Sequence, residues 1–333
     1  KSLEKLGIKV DWIGTKTGME NKILEGLDFK LYTINVKGLR KSGVLRMIGA
    51  PFVLVFSVCQ AISIILRVNP QVVIGMGGFV SGPAGIAAKL CRRKLVIHEQ
   101  NAVAGITNRV LSLLANRTLQ AFPDTFKGNV KAITTGNPVR DSISSIPPPE
   151  VRTGQKNNVS ILVFGGSRGA GILNDVIPQG IVNSGLRHLS VLHQCGERNE
   201  SRTEIAYSKV DSSCEIDVVA FIEQMNFAYK DADLVIARAG AITVAEIAAV
   251  GVASILVPYA YAVDDHQTKN AEFLHRAGAA LIIKEEQLSP SSIADAIRKL
   301  LFRPDKLIDM AKAARRLGSK NSLSLVVDNC IRF

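Results

Sequence analysis

The sequence predicts an α/β protein built as two Rossmann-like domains, each a parallel sheet, with the two sheets facing a cleft. Three observations predict it. At 333 residues the chain is longer than one ordinary hydrophobic core and suits two. Short β-branched runs alternate with helical patterns almost throughout, which is the signature of βα units. The stretch from Ser142 to Asn158, with Pro147-Pro148-Pro149 followed by polar residues, reads as a junction between domains at 1–145 and 155–333. Its other reading is an edge loop within one domain.

In order along the chain, the first residues read as the end of a helix, with Leu3 and Leu6 on one face and Gly7 as its stop. Ile8 to Ile13 then alternates as a strand. A doubly wound domain ordinarily opens with a strand and a glycine-rich turn before such a helix. The chain starts at Lys1, without that unit and without a signal-peptide pattern, so we expect a first βα unit ahead of it.

Met47 to Leu66 is a run of twenty residues without a charge, flanked by Arg46 and Arg67. That length reaches the threshold for a membrane span. Against spanning, Pro51 lies near its start, Ser57, Gln60 and Ser63 interrupt it, and it feeds directly into the strand-like Val72-Val73-Ile74. It reads as a crossover helix. One apolar face, ringed by Arg40, Lys41, Arg46 and Arg67, suits peripheral contact with an anionic membrane surface.

Further strands are expected at 72–75, 94–98 and 117–121. The second half supplies strands at 160–164, 190–194, 215–219, 234–237, 254–257 and 280–283. Helices intervene at 171–183, 241–250, 267–277 and 290–302, and 305–333 reads as helix to the end.

Composition narrows the partners. A formal charge of +12 fits nucleic acid, an anionic membrane surface or an anionic substrate. Aromatic residues are only 5%, and no basic stretch is interleaved with them as a stacking platform would be, so nucleic acid is not expected. The five cysteines (Cys59, Cys91, Cys195, Cys214 and Cys330) are scattered without C-x-x-C spacing, which fits a reducing compartment and gives no disulfide framework. No metal or cofactor is expected. The histidines lack ligand spacing and H-E-x-x-H is missing; Asp231-Ala232-Asp233 precedes a strand, at the wrong end for a site. Neither the dinucleotide fingerprint nor the P-loop motif is met.

Ligands of open parallel sheets bind beyond the carboxyl ends of the strands, so the residues after each strand are the candidates. Gly75-Met76-Gly77-Gly78 follows the first such run, with a helix expected from near Pro83. Glycines there let the backbone approach an anion; a plain βα turn is the other reading. Gly165-Gly166-Ser167-Arg168-Gly169-Ala170 repeats the logic and adds a hydroxyl and a guanidinium. In Arg238-Ala239-Gly240-Ala241-Ile242-Thr243-Val244-Ala245-Glu246 the glycine ends a strand and opens a helix. The first amides of that helix, on Ala241, Ile242 and Thr243, are suited to a diphosphate. Glu246 is placed to accept hydrogen bonds from a ribose diol, or simply to offset the helix dipole. Gln267 and Asn270 share one helix face and can meet sugar hydroxyls, with Asp265 as the N-cap. His98-Glu99-Gln100-Asn101 faces the cleft from the first domain, where His98 is equally a buried structural residue. Gly136-Asn137-Pro138-Val139-Arg140 brings an arginine to the hinge.

In order and spacing these segments resemble the MurG family, the peptidoglycan N-acetylglucosaminyltransferases of glycosyltransferase family 28. The resemblance runs across nearly the whole chain. It implies the two-domain GT-B fold. It also implies inverting transfer of N-acetylglucosamine from UDP-N-acetylglucosamine to the 4-hydroxyl of undecaprenyl-pyrophosphoryl-N-acetylmuramoyl-pentapeptide. The first domain would then face acceptor and membrane on the cytoplasmic side, and the second would hold the donor. Residue by residue, it implies that Ala241, Ile242, Thr243, Val244 and Ala245 hold the diphosphate and sugar by backbone. Glu246 would hold the ribose, Ser167 and Arg140 approach the nucleotide, and Ile222 presents backbone to uracil. Gln267 and Asn101 would bind the N-acetylglucosamine hydroxyls, while Gly75, Gly77 and Gly78 face the acceptor's pyrophosphate. The family's general base lies in a segment ahead of Lys1, so no catalytic base is assigned, and turnover by this chain is expected to be poor. Three other readings share the donor logic: a different lipid-acceptor glycosyltransferase, a UDP-sugar 2-epimerase, and an inactive UDP-sugar-binding subunit.

Overall fold

The computed structural model describes residues 2–36, 44–128, 130–152, 158–166 and 169–333. It is α/β throughout, and every strand pairing is parallel. The chain forms two compact units, Lys1–Thr135 with Leu323–Phe333, and Gly136–Ser322.

In the first unit, β1 (Asp11–Gly14) pairs with β2 (Lys30–Thr33). A separate four-stranded sheet runs β3 (Val72–Gly75), β4 (Lys94–Glu99), β5 (Arg117–Gln120) and β6 (Ala132–Thr134) in chain order. Residues 95–99 of β4 are all buried, because both faces of the sheet are covered. On one face, Ala61 and Ile65 of the Val44–Val68 helix and Ala87 and Ala88 of the Gly78–Leu90 helix pack against Leu95 and Ile97. On the other, Val96 and Leu119 meet Val326 and Cys330 of the Ser322–Ile331 helix. Arg117 holds that helix by donating to the carbonyl of Asn329 at 3.1 Å and lying over the Phe333 ring.

The second unit carries β7 (Val159–Phe164), β8 (Leu189–Gln194), β9 (Glu215–Val219), β10 (Leu234–Ala237), β11 (Ala253–Leu256) and β12 (Ala280–Ile282). Their order across the sheet is β12-β11-β10-β7-β8-β9. The chain winds outward from β7 to β9, returns to β10 beside β7, and winds outward again on the other side. The reversal makes a switch point between β7 and β10, where adjacent connections leave on opposite faces and open a crevice. Leu173, Ile177 and Ile181 of the Gly171–Ser184 helix and Ile293, Ile297 and Leu300 of the Pro290–Leu301 helix are buried with the strands in one core.

Several elements differ from the sequence expectation. The strand expected over 8–13 starts at Asp11, because Gly7 is left-handed (φ 73°) and the Ile8 amide still bonds back to the Leu3 carbonyl. The helix expected near Pro83 starts at Gly78, the left-handed Gly77 and Gly78 turning the chain at once. Residues 305–333 form two helices, Pro304–Leu317 and Ser322–Ile331. Gly318 breaks them where a Cβ would come 2.6 Å from the Ala248 carbonyl oxygen. The units divide at Thr135 and Gly136, ahead of the proline-rich stretch. That stretch carries single helical turns at Asp141–Ser144 and Pro149–Arg152, with Ile143, Ile146 and Pro149 buried. Arg152 then donates to the carbonyls of Tyr229, Lys230, Val250 and Gly251. These are the negative ends of the Met225–Asp231 and Ala241–Val250 helices, a natural seat for a guanidinium.

Candidate functional site

The switch point brings together the loops that follow β7 and β10. After β10, Gly240 stands at the N-cap of the Ala241–Val250 helix with φ −63° and ψ 147° and no capping side chain. Any residue can adopt that backbone, and a Cβ there would meet only ordinary contacts. Glycine is therefore not required for shape. What it contributes is the missing side-chain acceptor, which leaves the helix start uncapped. The first amide to bond back is that of Val244, to the Gly240 carbonyl at 2.9 Å. The amides of Ala241, Ile242 and Thr243 precede it and have no intrahelical acceptor. Ile242 is exposed and Thr243 half-buried, whereas the Val244 side chain is fully buried, so Val244 and Ala245 can contribute backbone only.

Glu246 lies in the second turn and is buried. Its Oε1 accepts from Arg140 Nη2 at 3.2 Å and its Oε2 from the Tyr229 hydroxyl at 3.2 Å. Burial raises its pKa above the usual carboxylate value, and Arg140 and Tyr229 oppose that rise. Arg140 reaches it because Asn137 anchors the preceding turn by donating Nδ2 to the Ala241 carbonyl at 3.3 Å. The structure thus joins Arg140, Ala241 and Glu246 in one cluster. Tyr229 was not singled out in the sequence, since it lies 17 positions from Glu246 and in no recognised motif. Its ring does pack edge-on against Phe164, the last residue of β7.

After β7, Gly166 and Gly169 take positive φ (98° and 70°). Gln194 Nε2 holds the Gly166 carbonyl at 2.9 Å. Ser167 and Arg168 lie outside the described residues, so the expected role of Ser167 has no geometry. Beneath the loop runs a buried polar chain. Asn174 Nδ2 donates to the Cys195 carbonyl at 2.9 Å, which leaves its Oδ1 facing His193 Nε2 at 3.1 Å. His193 must therefore donate from Nε2 and accept at Nδ1, where the Tyr207 hydroxyl sits 2.9 Å away. Burial lowers the His193 pKa to about 4, which keeps the ring neutral. Sequence reading missed this chain because its three members are far apart in number.

Around the same strand ends, Ile222 is half-buried in the loop between β9 and the Met225–Asp231 helix. Gln267, in the first turn of the His266–Arg276 helix, accepts from the Tyr259 amide at 2.9 Å. That bond engages its side-chain oxygen. Asn270 is placed differently. It is fully buried and donates to the Ala239 carbonyl, so it supports the turn before Gly240. Asp265 is at the N-cap but gives no side-chain cap, because its own backbone is left-handed (φ 50°). Arg238, which the sequence placed in the segment before the helix without a role of its own, ties the loop after β11 through Glu285 (2.6 Å) and the Val257 and Pro258 carbonyls. Asp233 accepts from the Ser160 amide at the amino-terminal end of the sheet. No cluster of three metal-ligating side chains occurs among the described residues.

In the first unit, Gly75 ends β3 as a buried residue, and Gly77 and Gly78 (φ 83° and 78°) carry the chain into the Gly78–Leu90 helix. Residues 98–101, expected to face a cleft, divide between interior and surface of this unit. His98 and Glu99 are interior. Glu99 accepts from the Asn101 amide, the Gly105 amide and Asn108 Nδ2 at 2.8–3.1 Å, so it shapes the loop from inside. Gln100 and Asn101 remain half-exposed, and the Asn101 Nδ2 lies 3.3 Å from Glu99 Oε1.

Sequence comparison matches residues 1–120 to the glycosyltransferase family 28 N-terminal domain and residues 160–326 to the family 28 C-terminal domain. A relative from Marinobacter nauticus is 41% identical over 333 residues, 99% of this chain and 91% of its own length. One from Pseudomonas fluorescens is 43% identical over 327 residues, 98% of this chain and 90% of its own. Both are named UDP-N-acetylglucosamine--N-acetylmuramyl-(pentapeptide) pyrophosphoryl-undecaprenol N-acetylglucosamine transferase. Among solved structures, MurG of Acinetobacter baumannii aligns with a TM-score of 0.88 at 38% identity, covering 100% of this chain and 93% of that one. The calicheamicin glycosyltransferase CalG4, at 13% identity and TM-score 0.66, shares the fold alone. With both halves matched and the switch-point loops in place, the chain belongs to glycosyltransferase family 28 and has the GT-B fold.

Proposed function

We propose that this chain transfers N-acetylglucosamine from UDP-N-acetylglucosamine to the 4-hydroxyl of undecaprenyl-pyrophosphoryl-N-acetylmuramoyl-pentapeptide, with inversion, in peptidoglycan synthesis. The observation that carries the reading is the uncapped start of the Ala241–Val250 helix at the switch point, with Glu246 a turn further on. In this reaction the acceptor oxygen attacks the anomeric carbon and its proton passes to a base. The bond from that carbon to the diphosphate breaks, and UDP leaves with the electron pair. Negative charge grows on the diphosphate, where fixed amides of Ala241, Ile242 and Thr243 stabilise it without reorganising. Glu246 would hold the ribose, Arg140 and Ile222 the rest of the nucleotide, and Gln267 the sugar. The base is not assigned to any residue present, and interior His98 is not given that role.

The acceptor side of the proposal rests on Gly75, Gly77 and Gly78 for the lipid pyrophosphate. It also rests on the Val44–Val68 helix, whose Pro51–Val68 stretch has a mean hydropathy of 2.0 and is only 17% buried. Phe52, Val55, Phe56 and Leu66 are exposed on it. Such a face, with Arg67 at its end, suits peripheral docking on the anionic cytoplasmic leaflet, where the lipid acceptor resides.

Calorimetry with UDP-N-acetylglucosamine, UDP-glucose and UDP-galactose, paired with a turnover assay on lipid-linked muramoyl acceptor, tests this. We expect the first sugar nucleotide to bind best and Gln267→Ala to narrow the difference. Equal affinity for all three, untouched by Gln267→Ala, would remove the donor assignment.

A further inference from the structure

We infer that Tyr229 is a positioning residue for nucleotide recognition: its buried hydroxyl fixes one oxygen of Glu246 and leaves the other to face the ribose diol. This rests on the donor-site reading above and adds a residue to it. The two oxygens of Glu246 have unlike neighbours. Oε2 accepts from Tyr229, which is fully buried and wedged edge-on against Phe164 at 6.1 Å between ring centres. Oε1 accepts from Arg140, whose side chain is 62% exposed. One partner is locked into the core at the end of β7, and the other stands in solvent and is free to exchange.

A carboxylate recognises a cis-diol by accepting from both hydroxyls, which requires a fixed plane and an ionised group. Burial works against ionisation at Glu246. The phenol, itself held neutral by burial, supplies a permanent donor to the charged form. Arg140 supplies the second donor only while the diol is elsewhere, so ribose hydroxyls replace it at Oε1 and release it toward the base or phosphate. The sequence spacing of 17 residues between Tyr229 and Glu246 conceals a pair that the sheet brings together.

The test compares affinity for UDP and 2′-deoxy-UDP by calorimetry in wild type, Tyr229→Phe and Glu246→Gln. Tyr229→Phe keeps the ring and removes only the donor. We expect wild type to prefer UDP, and Tyr229→Phe to lower the ratio by about tenfold, the value of one hydrogen bond to a charged group. A merely structural tyrosine would weaken both nucleotides equally and leave the ratio unchanged, which overturns the inference. If Glu246→Gln abolishes the preference while Tyr229→Phe leaves it, Tyr229 is excluded and the donor site stands. If Glu246→Gln also leaves it, the donor-site reading itself fails. Should Tyr229→Phe not fold, 3-fluorotyrosine at position 229 strengthens the same donor; the ratio then rises, or the inference is wrong.

Discussion

Gly169 stands against the Cys195 carbonyl so closely that a Cβ at position 169 would fall well inside contact distance of that oxygen, on a backbone already at φ 70°. The Cys195 carbonyl cannot withdraw, because Asn174 and Asn199 both donate to it. Gly169→Ala must therefore displace the loop after β7. We expect a cost of at least about 2 kcal/mol, from the left-handed conformation and the clash together, and a marked loss of UDP affinity. Thermal unfolding and calorimetry check this, and an unaltered midpoint with unaltered binding would contradict it.

Glu246 links stability to function in opposite senses. Burial raises its pKa in the folded chain, so the stability it contributes is present below the unfolded value and is lost as pH rises through the folded one. At neutral pH its charge is a cost to the fold. Glu246→Gln is expected to raise the unfolding midpoint at neutral pH while weakening UDP. In wild type, UDP affinity falls more steeply in acid than in the variant, because protonation of the raised carboxyl adds to the titration of UDP's own terminal phosphate. Titrating the wild-type-to-variant affinity ratio from neutral pH downward decides it.

His193 has the reverse sign. Its pKa is lowered from 6.5 to about 4 by burial, so its contribution is present above the unfolded value and is lost as pH falls toward the folded one. The shift corresponds to about 3 kcal/mol across that window. His193→Gln, which keeps an acceptor and a donor, should flatten the loss. Nitrogen NMR of the ring should report Nε2–H and no titration near pH 6.5; a normal titration would refute the buried chain.

The apolar helix face offers a test independent of the nucleotide site. Phe52 is 78% exposed and Phe56 55% exposed, so replacing both by Ser removes little packing. Binding to anionic vesicles should drop by at least tenfold, given roughly 1.5–3 kcal/mol per buried large apolar side chain. UDP affinity should stay constant. Retained vesicle binding in a sedimentation assay would displace this helix as the membrane-docking face.

Periodicity and punctuation made much of the chain legible. The Ala241–Val250 helix lies where its glycine and apolar run placed it, and β10 covers 234–237 as expected. Local chemistry decides such elements. A strand-ending glycine and an uncapped helix start are properties of neighbouring residues, so the uncapped amides at the start of this helix could be read directly. Residues that look alike in sequence then parted company in space. Gln267 and Asn270 share a helix face, but Asn270 is buried under Ala239 while Gln267 reaches the outer turn. His98 and Gln100 sit two apart, one interior and one half-exposed. By itself, the order of residues determined the parallel α/β halves and the glycine-bearing loops after the strands, because these depend on period and backbone freedom. Only the tertiary structure decided which carboxylate oxygen faces Tyr229, which histidine stays neutral and which amide is spent on the core. Burial and hydrogen-bond partners come from strands distant in number, and the winding of β7 to β12 alone sets them beside one another.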